Sequence, residues 1–242
     1  MGIKRLILDR NNLKVFKFEE NIDISLKDNS NCSSELMFIL SNENIKETNI
    51  HIKLEHETNL RLFVLVTYNT KGRSIKDKKN INITLNLLHE NARGEVFLAG
   101  KYHSNSDTDI NIVINNRKKN TKGYYRGINF LYDSSHIFTK GLINIFQFAN
   151  KSDSYFKDNN VLLSPKTIAK TSPILEIKAD DVKASHGATI GMLDESQIFY
   201  LESRGFERKD INDILIDGLL KKNFTEYMSD ELYNLFKDNI SN

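Results

Sequence analysis

Between residues 35 and 190 apolar and polar residues alternate with a period of two in run after run, and that pattern excludes most ways of folding a chain of this size. The runs are ELMFIL (35–40), NIHIKLEH (49–56), LRLFVLVTY (60–68), INITLNLLHE (81–90), GEVFLAGKY (94–102), TDINIVIN (108–115), GYYRGINFLY (123–132), HIFTKGLINIFQF (136–148), NNVLLSP (159–165) and PILEIKA (173–179). Each is rich in β-branched or aromatic residues, and clusters of Asn, Asp, Ser, Gly and Lys separate them. Helical periodicity is nearly absent here. Two shorter alternating segments, LKVFKF (13–18) and NIDISL (21–26), read as strands at the start of a sheet.

Many short strands at even spacing fit a sandwich, a barrel or a β-helix. Three features favour the β-helix. No Asn-Gly or Asp-Gly dipeptide of the kind that closes a hairpin lies between the runs. The pairs Asn115-Asn116 and Asn159-Asn160 predict tight corners, where a left-handed backbone is tolerated. Segments such as INIVIN and LINIFQF keep one apolar face along their whole length, as stacked coils require.

After Gly191 the period changes. Asp194 is placed as an N-cap, Gln197 three residues on completes a capping box, and Leu193 can staple against Ile198. Gly205 is the natural left-handed stop of that helix. A second helix is predicted over about 207–222, where Ile211, Ile214, Leu215, Ile216, Leu219 and Leu220 make a broad stripe. Phe224, Tyr227, Met228, Leu232, Leu235 and Phe236 continue the helical pattern. The expected organisation is a short N-terminal strand region (1–34), a β-helix core (35–192) and a helical subdomain (193–242). The fold class is mainly β with a small α-helical appendage.

Charge gives no reason to expect nucleic acid or a membrane surface as partner: 34 basic and 32 acidic residues leave +2. Basic clusters such as RKK at 117–119 read as solvated loops. The single cysteine, Cys32, excludes an internal disulfide framework and any cysteine-only metal site within this sequence. No run approaches the roughly 18–20 apolar residues of a membrane span, and MGIKRLILDRNNLK lacks a signal-peptide apolar block. The expectation is a soluble protein of a reducing compartment.

The stretch ILEIKADDVKASHGATIGMLDESQIFYLESRGF (174–206) closely resembles the C-terminal signature of the SufB/SufD family of iron-sulfur cluster assembly proteins. It is more similar to the SufD branch, through His-Gly-Ala-Thr-x-Gly followed by Leu-Asp and Gln-Ile-Phe-Tyr-Leu-x-Ser-Arg-Gly. LNLLHENARGEVFLAGKY, GYYRGINF and NNVLLSP match more weakly, so the resemblance covers roughly 80–240. It implies a right-handed parallel β-helix with a C-terminal helical subdomain. It also implies a non-enzymatic scaffold that pairs with a SufB-like subunit along the strand around 174–190 and docks a SufC-like ATPase through the helices. The chain itself would bind no nucleotide. The family's histidine falls on His186, where the resemblance implies transient handling of iron or an iron-sulfur cluster shared with the partner. Asp194, Gln197, Phe199, Tyr200, Arg204 and Gly205 are the expected partner-binding residues. The implied compartment is a bacterial cytoplasm, with an organelle stroma as the alternative. Three departures stand out: Ala184 occupies a position that is commonly Cys, the large N-terminal helical region of longer members is missing, and NIVINNRKKNTKGYY stands in the stretch (103–125) where many members carry histidines.

Read from its residues alone, His186 supports two accounts. An alternation through Val182, Ala184 and His186 sets the imidazole among small residues, with Gly187 letting the backbone turn beside it, and leaves room for a metal or a partner. The plain alternative is a satisfied histidine at a packed strand edge. Glu176, Asp180 and Asp181 read as solvent-facing, and His51, His56, His89, His103 and His136 have no metal-ligand spacing. Phe199, Tyr200 and Phe206 can be either partner contacts or core. A β-helix acting on polysaccharides is the competing function class; it needs recurrent acids on neighbouring coils, and no recurrent Asp pair runs through these strands.

Overall fold

The computed structural model describes residues 4–8, 14–17, 21–26, 33–41, 46–55, 57–68, 78–230, 233–234 and 237–238. Cys32, His56, Leu232, Leu235 and Phe236 lie outside the described residues. The strands are β1 (Lys4–Leu8), β2 (Lys14–Lys17), β3 (Ile22–Leu26), β4 (Ser33–Leu40), β5 (Glu47–Leu54), β6 (Asn59–Tyr68) and β7 (Lys78–Leu87). They continue as β8 (Arg93–Tyr102), β9 (Asp107–Asn116), β10 (Lys122–Leu131), β11 (His136–Ile145), β12 (Asp153–Leu162), β13 (Ile168–Ile177) and β14 (Lys183–Met192). Two helices follow, α1 (Glu195–Ser203) and α2 (Arg208–Phe224).

Odd-numbered strands form one seven-stranded sheet and even-numbered strands the other, and every pairing is parallel between strands two apart in sequence. The chain is therefore a β-solenoid in which each coil gives one strand to each sheet. Period-two alternation explains it directly, since one set of side chains points between the sheets and the other outward, as the buried and part-exposed alternation along β7 shows. Ile81, Ile83, Leu85 and Leu87 of β7 stack above Ile110, Ile112 and Ile114 of β9 inside the coil. Where a large side chain fills the lumen a small one makes room: a Cβ on Gly141 would run into the ring of Phe156.

The Asn-Asn pairs are not corners. Asn115 and Asn116 sit in β9, paired with Asn144 and Ile145, and Asn159 and Asn160 sit in β12. Left-handed corners fall instead at Asn91, Ser104, Asn120, Asp133 and Lys151, with φ between 55° and 63°. Asparagine has a different use here. On the outer face of the odd sheet Asn111 donates to Asn82, Asn82 to Asn49 and Asn49 to Asn21, at 2.8, 2.8 and 2.7 Å. A second ladder runs from Asn144 to Asn115 to Asn86, at 2.8 and 2.9 Å. In-register parallel stacking satisfies each amide with the one above it.

A second apolar cluster lies outside the lumen. Met37, Phe63, Phe97, Ile128 and Phe130 project from the outer face of the even sheet, and Ile216, Leu220 and Phe224 of α2 cover them. Phe224 is fully buried and meets Phe97 edge-on at 5.9 Å. The helices thus lie back along the solenoid.

The lumen near its C-terminal end is polar. Buried Asp158 accepts from Asn129 (3.1 Å), Asn160 (2.9 Å) and Thr171 (2.7 Å), and Tyr102 donates to Asn129 (3.3 Å). Burial pushes the Asp158 carboxyl up despite those donors.

Two outcomes follow from this packing. Phe224→Ala should cost about 3–5 kcal/mol in urea unfolding, because it empties the contact between helix and sheet. For Asp158 the folded-state pKa is raised, so its contribution is fully present below the ordinary Asp value near 3.9 and is lost as pH climbs through the raised one. The thermal midpoint of Asp158→Asn relative to wild type should therefore improve as pH rises above the ordinary Asp range and level off once the buried carboxyl has ionised; a pH-independent difference would contradict a raised carboxyl.

Candidate functional site

The sequence signature around His186 folds as two strands in different sheets, and each is the last of its sheet. β14 pairs on one side only, with Ser154↔Ala184, Phe156↔His186, Asp158↔Ala188 and Asn160↔Ile190 in register. Ser154, Phe156, Asp158 and Asn160 all point into the lumen, so register gives Ala184, His186, Ala188 and Ile190 the same direction. Among the described residues no further coil covers them. His186 is consequently exposed at the mouth of the lumen, one strand beyond Phe156, which stacks on Tyr125 at 4.8 Å. The expected face shared by Ala184 and His186 is present. The turn expected beside Gly187 is absent: β14 runs on to Met192, held by its ladder to β12.

The other strand of the coil, β13, carries Glu176 outward beside Asn144, solvent-exposed as expected. Ile177 and Ile190 are 45% and 48% exposed. They face inward by register with buried Ile145 and Asn160, so the open end is partly apolar and its two strands have free backbone edges. Sequence inspection did not single these isoleucines out; their alternation with Glu176 and Thr189 was the available signal. Among the described residues no group of three or more His, Cys, Asp or Glu is placed to hold a metal, so His186 offers one imidazole and no more.

The helical residues come next. Asp194 caps α1 by accepting from the backbone N–H of Ser196 at 2.9 Å, and the Ser196 hydroxyl also reaches it. Hydrogen bonding from the Ser196 hydroxyl, and then from backbone N–H groups, holds the Asp194 carboxyl below its ordinary value. Gly205, at φ 89°, ends the helix as expected. Only Ile198 of α1 is buried. Phe199 and Tyr200 are 73% and 55% exposed, and Phe206 and Ile214 stand out beside them. The guanidinium of Arg204 lies over the Tyr200 ring at 5.2 Å. The core account of Phe199, Tyr200 and Phe206 does not hold, because all three rings are exposed.

Between β14 and the helices runs a groove of about 660 Å³, walled by Ile190, Met192, Leu193, Gln197, Leu215 and Gly218. Thr189 donates to Asn159 (2.8 Å) and Asn159 donates to Asn223 of α2 (3.1 Å), so the last strand and α2 are tied together along one side of it. Of the remaining histidines, His103 stacks on Tyr132 at 4.1 Å, and burial, with Lys101 next, holds its pKa down. Neither it nor His51, His89 or His136 lies on the last coil.

Comparison with known proteins bears on this geometry. The family model described as SUF system FeS cluster assembly, SufBD core domain, matches residues 17–219, a span that includes the last coil, α1 and most of α2. The iron-sulfur cluster assembly protein SufD of Escherichia coli is 43% identical over 99 residues, 41% of this chain and 23% of that protein. A SufBD family protein of Synechocystis is 37% identical over 113 residues, 47% of this chain and 24% of its own length. The chloroplastic protein ABCI7 of Arabidopsis thaliana is 36% identical over 78 residues, 32% of this chain and 16% of that protein. The matched part is thus about a quarter or less of the length of each of these relatives.

Because Phe199 and Tyr200 rest largely on solvent, a Phe199→Ser, Tyr200→Ser double variant should unfold in urea within about 0.5 kcal/mol per site of wild type. A large loss would mean that the two rings belong to the fold.

Proposed function

The chain belongs to the SufBD core family of the SUF iron-sulfur cluster assembly system, and on that premise we propose that it is a SufD-like, non-enzymatic scaffold subunit. The match over 17–219 carries the reading, since it takes in the open coil and the exposed helix together. In this role the free edges of β13 and β14 pair with a SufB-like subunit, an arrangement supported by the inward-facing Ile177 and Ile190 left uncovered at the end of the solenoid. The exposed ring pair Phe199–Tyr200, with Asp194, Gln197, Arg204 and Gly205 fixing the shape of α1, receives a SufC-like ATPase. The nucleotide belongs to the ATPase. No membrane and no nucleic acid takes part.

The nascent cluster is cargo. His186 contributes a neutral imidazole nitrogen as one ligand to iron, transiently, at the joint between subunits. Ala184 offers no thiolate beside it, so thiolate ligation comes from the partner. The compartment is a bacterial cytoplasm or an organelle stroma, in line with bacterial relatives and the chloroplastic one. We assign 1–34 to the entry strands of the solenoid, 35–192 to its β-helix core and 193–242 to the ATPase dock. The polysaccharide-active alternative gains no support, as Asp158 is buried and held by amides and a hydroxyl.

Co-expression with SufB-like and SufC-like subunits tests the assignment. A stable ternary complex is expected, and its absence would overturn the scaffold reading. The Phe199→Ser, Tyr200→Ser variant should lose the ATPase and keep the homologous partner. His186→Ala should leave complex yield unchanged and lower cluster transfer to an apo-ferredoxin; undiminished transfer would reduce His186 to a structural residue.

A further inference from the structure

Helix α2 covers only the part of the even sheet's outer face that carries Phe97, Ile128 and Phe130. The N-terminal halves of the same strands present different chemistry. Glu95 of β8 is buried, with its side chain 1% exposed, and three guanidinium groups converge on its carboxylate. Arg93 donates through Nη2 and Nε at 2.7 and 2.9 Å, Arg126 of β10 through Nη1 at 3.2 Å, and Arg61 of β6 stands 3.7 Å away. Arg61 also donates to Glu35 of β4 at 3.3 Å. Aromatic rings brace the cluster: Arg93 and Arg126 lie over Tyr124 at 5.6 and 5.2 Å, and Arg126 lies over Tyr227 at 4.5 Å.

A buried carboxylate needs one cation to balance it. This one has three, drawn from three successive coils, and Glu35 balances only one of the others. Packing like charges together costs stability, so neutralising Glu95 does not by itself account for the arrangement. Each guanidinium has five N–H donors, and among the described residues only Glu95 and Glu35 accept hydrogen bonds from these three. Among the described residues the remaining donors have no protein acceptor, and the side chains of Arg61, Arg93 and Arg126 are 35%, 38% and 18% exposed. By strand register, Lys122, Lys157 and Lys183 share this half of the face, and Asp153 is its one further acid. Six basic groups against three acidic ones give an excess of three positive charges, more than the +2 of the entire chain.

We propose that this half of the even sheet is a docking surface for an acidic polypeptide segment. The planar forks of Arg61, Arg93 and Arg126, which come from adjacent coils at positions offset along the strands and are gathered by Glu95, take carboxylates in paired hydrogen bonds. Tyr124 and Tyr155 supply the amphipathic contact that peptide interfaces favour. A phosphate polymer fits less well, because Asp153 and Glu35 interrupt the continuous basic track along which a nucleic-acid backbone binds.

The test is a fluorescence-anisotropy titration of the whole chain with a labelled peptide of about ten glutamates, over a range of salt. Binding that weakens as salt rises is expected. Arg93→Gln should reduce affinity about tenfold, equivalent to about 1.4 kcal/mol. The exposed pair Lys122→Gln, Lys183→Gln, which leaves Glu95 and its arginines untouched, should reduce it about threefold with an unchanged thermal midpoint. Three results would overturn the proposal: no binding by wild type, equal binding by the lysine variant, or tighter binding of an oligonucleotide of the same charge, which would mark the face as a phosphate site.

Discussion

Coil-on-coil parallel pairing is the constraint from which the rest of the molecule follows. From β3 onward each strand has its next hydrogen-bonding partner about thirty residues further along the sequence, as Asp153 has Lys183, and no strand has it in the strand next along the chain. Strict register then makes side chains form columns. Inside, Tyr125, Phe156 and His186 succeed one another; outside, asparagines do. A column has two ends, and whatever occupies its last position faces something other than the chain itself. That is why His186 and Ile190, ordinary inward positions on any earlier coil, are exposed on this one.

The helices solve a different problem. The even sheet is apolar on both faces over part of its area, which a solenoid with a solvated exterior does not tolerate, and α2 supplies the missing cover. Because β14 passes straight into α1 through Leu193 and Asp194, covering the sheet also fixes where α1 can go. It ends beside the open coil with its aromatic face outward, and Asn159 bonds to β14 on one side and α2 on the other. The two surfaces assigned to partners are therefore neighbours on one rigid frame, separated by a groove rather than by a linker.

Much of this was legible in the sequence, and the misses have physical causes. Alternation marked β7 and β9 cleanly, because Ile and Leu fill the inward positions along most of each strand, with Lys79, Thr108 and Asn116 only towards the ends. It failed at DSYFKD and KASHGATIGM, where Ser154, Asp158, Ala184 and Ala188 take those positions. Polar and small residues are admitted there because the lumen is hydrogen-bonded near Asp158 and uncovered beyond it. The Asn pairs misled for a related reason: asparagine tolerates corners, but an in-register stack rewards it equally within strands, and composition cannot distinguish the two uses. Asp194 and Gly205 were readable because caps are local. The exposure of Phe199 and Tyr200 was not, since whether a helix face is buried depends on what α2 already covers. The cluster around Glu95 is likewise invisible in sequence, because Arg61, Glu95 and Arg126 meet only through coil register.

Ligand arithmetic at the mouth of the lumen bears on the proposed scaffold role. An iron of a cluster takes ligands beyond the bridging sulfides, commonly thiolates, and a lone imidazole completes no such site. The only cysteine of the sequence, Cys32, falls outside the described residues and far from this coil in sequence, and the position beside the histidine is Ala184. Among the described residues no two further His, Cys, Asp or Glu side chains stand close enough to complete a set of three with it. A cluster held here would therefore be assembled from groups on two chains, and pairing at β14 would be the same event as building the site. Chemistry of that kind asks of this subunit an accessible imidazole and an open edge, and the last coil offers both.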